Sequence, residues 1–91
     1  MRIDKFLKVS RLIKRRTLAK EVAEQGRVEI NGQTAKAGAN VKPGDEISIR
    51  FGQKLVVVRV ERLEESIRKE EATTMYSLLR EEKLGETNSF S

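Results

Sequence analysis

The 91-residue sequence has no cysteine, no histidine and no tryptophan, and a single proline. Without cysteine there are no disulfides, and without either cysteine or histidine there are no thiolate or imidazole metal sites. A catalytic triad built on either residue is excluded as well. No Asp/Glu cluster has the spacing of a calcium loop. No apolar run approaches the roughly 20 residues of a membrane span. The opening MRIDKFLKVSRL is basic, but no continuous apolar stretch follows it, so it does not read as a signal peptide. A soluble cytoplasmic protein with no cofactor and no membrane partner is expected. Aromatics are scarce too: Phe6, Phe51, Tyr76 and Phe90 are the full set. None is interleaved with the basic residues, so a base-stacking platform for single strands is poorly supported.

Positive charge is abundant and lopsided. The net charge is +5, yet residues 1–44 hold eleven Lys/Arg against four Asp/Glu, while residues 45–91 hold eight against ten. Within residues 1–20, eight cations face Asp4 alone. A field this uneven points to a polyanionic partner, with a solvated basic surface as the plainer alternative.

The chain length suits one domain with a modest core. Ile3, Phe6 and Leu7 are spaced i, i+3, i+4 and predict a first helix over about Asp4–Val9. Asp4 is placed to cap that helix or to favour its positive end, which suits it better than a catalytic role. Leu18, Ala19, Val22 and Ala23 predict a second helix over about Arg15–Gln25, with Gly26 as its left-handed terminator. The period then changes to two. Val28 and Ile30 alternate with polar residues, and Asn31-Gly32 is a strong hairpin signal. A Pro43-Gly44 turn precedes the alternating Ile47, Ile49 and Phe51, and KLVVVRVERL reads as a further strand. Ala72, Met75, Tyr76 and Leu79 form one apolar stripe, predicting a C-terminal helix over about 70–83. The acidic residues of 61–71 read as a solvated helix face. The expected class is α+β: two short helices on a small, mostly antiparallel sheet, plus the C-terminal helix. Residues 85–91 have the composition of a disordered tail.

Arg2, Lys5, Lys8, Arg11, Lys14, Arg15, Arg16 and Lys20 all fall in or beside the two helices. The apolar stripes fix which faces are buried, so these cations belong on the opposite surface. Arg16 and Lys20 are i, i+4 neighbours, as are Arg11 and Arg15 if their connection is helical. Such like-charge pairs repel, and an anion would relieve the repulsion. The guanidinium fork matches two phosphate oxygens at once, and the start of the second helix adds free N–H groups. Structured RNA held through its phosphates fits this pattern best.

The segment RIDKFLKVSRLIKRRTLAKEVAEQGRVEING resembles the αL motif of S4-type RNA-binding domains. Its elements are Arg2-Ile3-Asp4, Leu7, Arg16, Leu18-Ala19, Gly26, Val28 and Ile30-Asn31-Gly32, and KPGDEISI from Lys42 to Ile49 is similar to the family's closing turn and strand. The resemblance covers at least residues 2–50. Many relatives carry Ser or Thr as the cap of the second helix, where this sequence has Lys14. With no room for a catalytic domain, the chain resembles the stand-alone members, the bacterial heat-shock S4 proteins and the RqcP group. That resemblance implies a non-enzymatic, monomeric protein with an S4 domain over 1–63 and a helical extension of it over 64–84. It implies binding to 23S-type rRNA and tRNA on the large ribosomal subunit, beside the quality-control factor RqcH, in support of alanine tailing of stalled chains. It implies RNA contacts at Arg2 and Arg16, flanked by the other six cations, with Asp4, Gly26, Asn31 and Gly32 in structural support. A ribosome-recycling or general structured-RNA-binding factor, an accessory subunit of an RNA-modifying enzyme and a basic membrane-surface protein are the alternatives.

Overall fold

The computed structural model describes residues 1–83. Two helices, α1 (Ile3–Val9) and α2 (Arg16–Glu24), precede five strands: β1 (Val28–Ile30), β2 (Gln33–Thr34), β3 (Glu46–Phe51), β4 (Lys54–Val60) and β5 (Tyr76–Lys83). The strands form one sheet in the order β2-β1-β3-β4-β5, with every neighbouring pair antiparallel. The class is α+β, as the change of period from 3.6 to 2 implies.

Each element follows from its residue pattern. Ile3, Phe6 and Leu7 are fully buried on one side of α1, and Ala19, Val22 and Ala23 are buried on one side of α2. They close over Val28, Ile47, Ile49, Val56, Val58 and Val60, which alternate onto one face of the sheet. Leu18, expected on the apolar face of the second helix, is instead 48% exposed. The buried face of α2 is the narrower Ala19–Val22–Ala23 stripe, and Leu18 lies outside it.

Helix α2 ends as its sequence requires. Gly26 takes φ +77°. Its N–H donates to the Ala23 carbonyl at 3.0 Å, and the Arg27 N–H reaches back to the Val22 carbonyl at 3.2 Å. This pair of bonds is a Schellman motif, which leaves few helix carbonyls unsatisfied. At the β1–β2 hairpin, Asn31 and Gly32 sit at φ +53° and +85°, between the paired Ile30 and Gln33. Both central residues of the tight turn therefore have positive φ, as the Asn-Gly pair predicts.

The connection between the helices is not helical. Arg11 has φ +64° and leaves the helical path directly after α1, so the expected i, i+4 relation of Arg11 to Arg15 is absent. The N-cap of α2 is Arg15 rather than Lys14, with no side-chain capping bond.

The C-terminal helix exists only as a 3-10 helix, Lys69–Met75; residues 76–83, expected to continue it, are strand β5. The apolar stripe is split between the two elements. Ala72 and Met75 plug the core from the 3-10 turn, and Tyr76 starts the strand opposite Val60. The Glu/Arg/Lys-rich composition favours helix locally. It is overridden because the far edge of β4 offers a full ladder, which β5 fills from Val60↔Tyr76 to Lys54↔Lys83 with one irregularity at Val57/Val58. Residues 64–68, where the helical extension was expected to begin, are irregular. Residue 84 and the expected tail, 85–91, lie outside the described residues.

Candidate nucleic-acid interface

Helix α1 begins one residue after Arg2, whose backbone is anchored. Arg2 bridges to Asn40, the Ile3 N–H donates to the Ala39 carbonyl at 2.7 Å, and the Val41 N–H donates to the Met1 carbonyl. The chain start is thereby tied to the loop before β3. The Arg2 guanidinium lies over Gly38, where a Cβ would sit 3.8 Å from Nη2.

Asp4 was expected to cap α1 or to favour its positive end, and the second holds: the N-cap is Arg2, and Asp4 is the acidic residue of the first turn. Its carboxylate also accepts from Arg2 Nη2 at 3.3 Å and from Arg16 Nη2 at 3.5 Å. The carboxylate is 3% exposed, whereas the arginine side chains are 51% and 49% exposed. One buried anion thus holds two half-exposed guanidiniums from beneath. Both contacts are at the long end of hydrogen-bond range and single-pronged, so most of the five N–H donors on each fork remain open. Thr17, the next residue along α2, and Lys20, just over one turn on, line the same shallow depression with Arg2, Asp4 and Arg16. The uncapped first turn of α2 adds backbone N–H groups at an anion-favouring end.

The remaining cations are spread more widely. Lys8 and Arg11 are exposed and line a second depression with Val9, Glu65, Ser66 and Ile67. Lys14 and Arg15 are exposed on the connection leading into α2. Lys5 differs from the rest. It is half-buried, and its ammonium is bonded to Glu65 from the irregular segment after β4. The hydrogen bond and charge of Lys5 hold the Glu65 carboxyl below its ordinary value. The structure therefore gathers Arg2, Arg16 and Lys20 around Asp4, groups Lys8 and Arg11 elsewhere, and ties Lys5 to an acid. No sequence signal marks Glu65 as its partner, 60 residues away.

A second buried carboxylate supports the loop beneath this surface. Asp45 accepts from the Lys42 N–H at 2.9 Å, from Asn31 Nδ2 at 3.1 Å and from Lys42 Nζ at 3.2 Å. Asn31 Oδ1 in turn accepts from the Glu46 N–H. Burial pushes the Asp45 carboxyl up, but the bonds from Asn31 and Lys42 outweigh it and leave it below its ordinary value. Asn31 thus supplies both the turn backbone and a side-chain clasp onto the Pro43-Gly44 turn. Sequence reasoning found only the first. Among the described residues, no group of three His, Cys, Asp or Glu could hold a metal ion, and no helix is long and apolar enough to cross a membrane.

Comparison with known proteins gives consistent results. The family model of the S4 domain matches residues 1–47. The RQC P-site tRNA stabilizing factor of Bacillus subtilis (strain 168) is 70% identical over 86 residues, covering 94% of this chain and all of that protein. The Streptococcus pneumoniae protein of the same name is 50% identical, covering 94% of this chain and 98% of its own length. Among solved structures, the trimeric heat shock protein 15 of Vibrio cholerae superposes with a TM-score of 0.81 at 34% identity, over 87% of this chain and 81% of that one.

Proposed function

Because the chain belongs to the S4 domain family, we propose that it is a non-catalytic RNA-binding factor of ribosome-associated quality control. In this reading it binds the blocked large ribosomal subunit, touches 23S-type rRNA, and steadies the peptidyl-tRNA held there. It acts as a cytoplasmic monomer beside RqcH and so supports alanine tailing of the stalled chain. The relatives named as P-site tRNA stabilizing factors support the tRNA part, since they align over nearly the whole chain.

The observation that carries the reading is the Asp4-centred pair of guanidiniums. A buried carboxylate neutralises one of two adjacent positive charges and fixes the spacing of both forks. The outer N–H groups are left facing solvent, ready for phosphate oxygens without further loss of side-chain freedom. Arg2 and Arg16 are then the principal RNA contacts. Lys20 is next to them, and Lys8, Arg11, Lys14 and Arg15 are supporting contacts. Lys5 contributes least, because Glu65 already occupies its ammonium.

The test is co-sedimentation with large subunits across a salt series. About five phosphate contacts give a log–log slope of roughly −3.5 to −4.5. A slope near zero would sink the electrostatic reading.

A further inference from the structure

The face of the sheet turned away from the helices carries a cation cluster that the αL surface does not use. Val28 pairs with Ile49, so Arg27 stands directly opposite Arg50, and the Arg50 N–H donates to the Arg27 carbonyl at 2.9 Å. Like charges facing each other across an antiparallel pair are destabilising, and an acidic cross-strand partner is the usual remedy. Here, among the described residues, no carboxylate lies within ion-pair distance of either arginine. Arg80 of β5 lines the same depression with Glu29, Ser48 and Leu55. It bonds Glu82 through Nε at 2.8 Å, which leaves the terminal nitrogens of its fork uncommitted. Three guanidiniums thus surround a depression of about 410 Å³ that has one lining carboxylate, Glu29. Even with Glu82 included, the patch is positively charged. The exposed Arg59 on the same face shows the contrast, since it has an acid, Glu61, at 3.8 Å.

We propose that Arg27 and Arg50, with Arg80, form a second RNA-phosphate site on the open face of the sheet, separate from the Asp4-centred pair. The assignment rests on the RNA-binding reading above and adds to it a surface on the other side of the sheet. The arginine forks supply two-pronged donors to phosphate oxygens, and Ser48 adds a hydroxyl. With no aromatic on the patch, the site reads backbone rather than bases.

The experiment uses the full chain and a fluorescent RNA hairpin, read by anisotropy over a salt series. Arg27→Gln/Arg50→Gln should weaken binding about threefold to tenfold and flatten the log–log salt slope by roughly 1.5 to 2. A control losing the same charge off the sheet, Arg68→Gln/Lys69→Gln, should change the slope less. Arg27→Lys/Arg50→Lys should recover part of the affinity, with circular dichroism confirming the fold. In an Arg2→Ala/Arg16→Ala background, the amides of Glu29, Ser48 and Arg50 should still shift on adding the hairpin. They should not shift with inorganic phosphate at equal phosphate concentration. If wild type binds RNA through Arg2 and Arg16 while the Arg27/Arg50 variant matches the control, the sheet site is wrong and the main reading stands. Equal shifts with inorganic phosphate would also overturn it, by leaving only a small-anion site. If wild type binds no RNA at all, both readings fall.

Discussion

Asp4 and Asp45 are both buried carboxylates within the first half of the chain, yet their surroundings differ in kind. Asp45 is met by a backbone N–H, an amide and a lysine from its own and the neighbouring turn. These donors tie the β1–β2 hairpin to the Pro43-Gly44 turn. Asp4 is met only by two arginine side chains, each about half exposed. The first arrangement spends a charge on holding the fold. The second spends it on holding two other charges at the surface. The identity and number of a carboxylate's donors, not its burial, decide which role it takes.

Substitutions at Asp45 and at the arginine partners of Asp4 separate the two roles. Asp45→Ala leaves Asn31 and the Lys42 N–H without their acceptor. We expect it to lower stability by about 2–3 kcal/mol, read as a melting-temperature drop of roughly 8–20 °C, with little change in RNA affinity at a temperature where it stays folded. The pH dependence sharpens the point. The folded Asp45 carboxyl lies below its ordinary value. Its contribution is therefore fully present above the ordinary carboxylate range and is lost as pH falls through the lowered folded value. The gap between wild type and Asp45→Asn should close on acidification, in pH-stepped thermal melts.

Arg2→Ala and Arg16→Ala should each weaken subunit binding by about 1.5–3 kcal/mol, the range for hydrogen bonds to charged groups, with unchanged circular dichroism. Unfolding of either variant would move Asp4 into the same class as Asp45 and end the contrast. Gly32→Val strains a residue at φ +85° and should cost roughly 1 kcal/mol or more of stability, with RNA affinity unaffected in the folded fraction. The smallest effects belong to Lys5. Lys5→Ala should weaken subunit binding less than either arginine variant. Glu65→Gln should tighten it about twofold by freeing the ammonium, consistent with the modest worth of exposed ion pairs. Equal losses for Lys5→Ala and Arg2→Ala would show that the cations are interchangeable and that Asp4 positions nothing.

The N-terminal half was largely legible because its signals are local. Helix periodicity, the Gly26 terminator and the Asn31-Gly32 turn each depend on residues within a few positions of one another. The C-terminal third was not. Residues 76–83 carry helix-favouring charges and part of a helical stripe, but they fold as a strand because β4 has an unpaired edge. A sequence window holds no record of that edge. The same holds for the candidate interface. The eight cations are visible in the sequence, and the family resemblance pairs Arg2 with Arg16, but the loss of Lys5 to an acid is not visible, since that carboxylate lies 60 residues away.

The order of residues alone sets the secondary-structure class of most of residues 1–60, the burial of one face of each helix, and the excess of positive charge opposite it. These are consequences of periodicity and composition, which act over one or two turns of chain. Which cations share an anion, which is claimed by Glu65, and which pair faces across β1 and β3 on the far side of the sheet are matters of the folded chain. Those relations depend on strand register and on chain segments brought together by core packing. They are settled only when Ile3, Phe6 and Leu7 close on the sheet and set where Asp4 points.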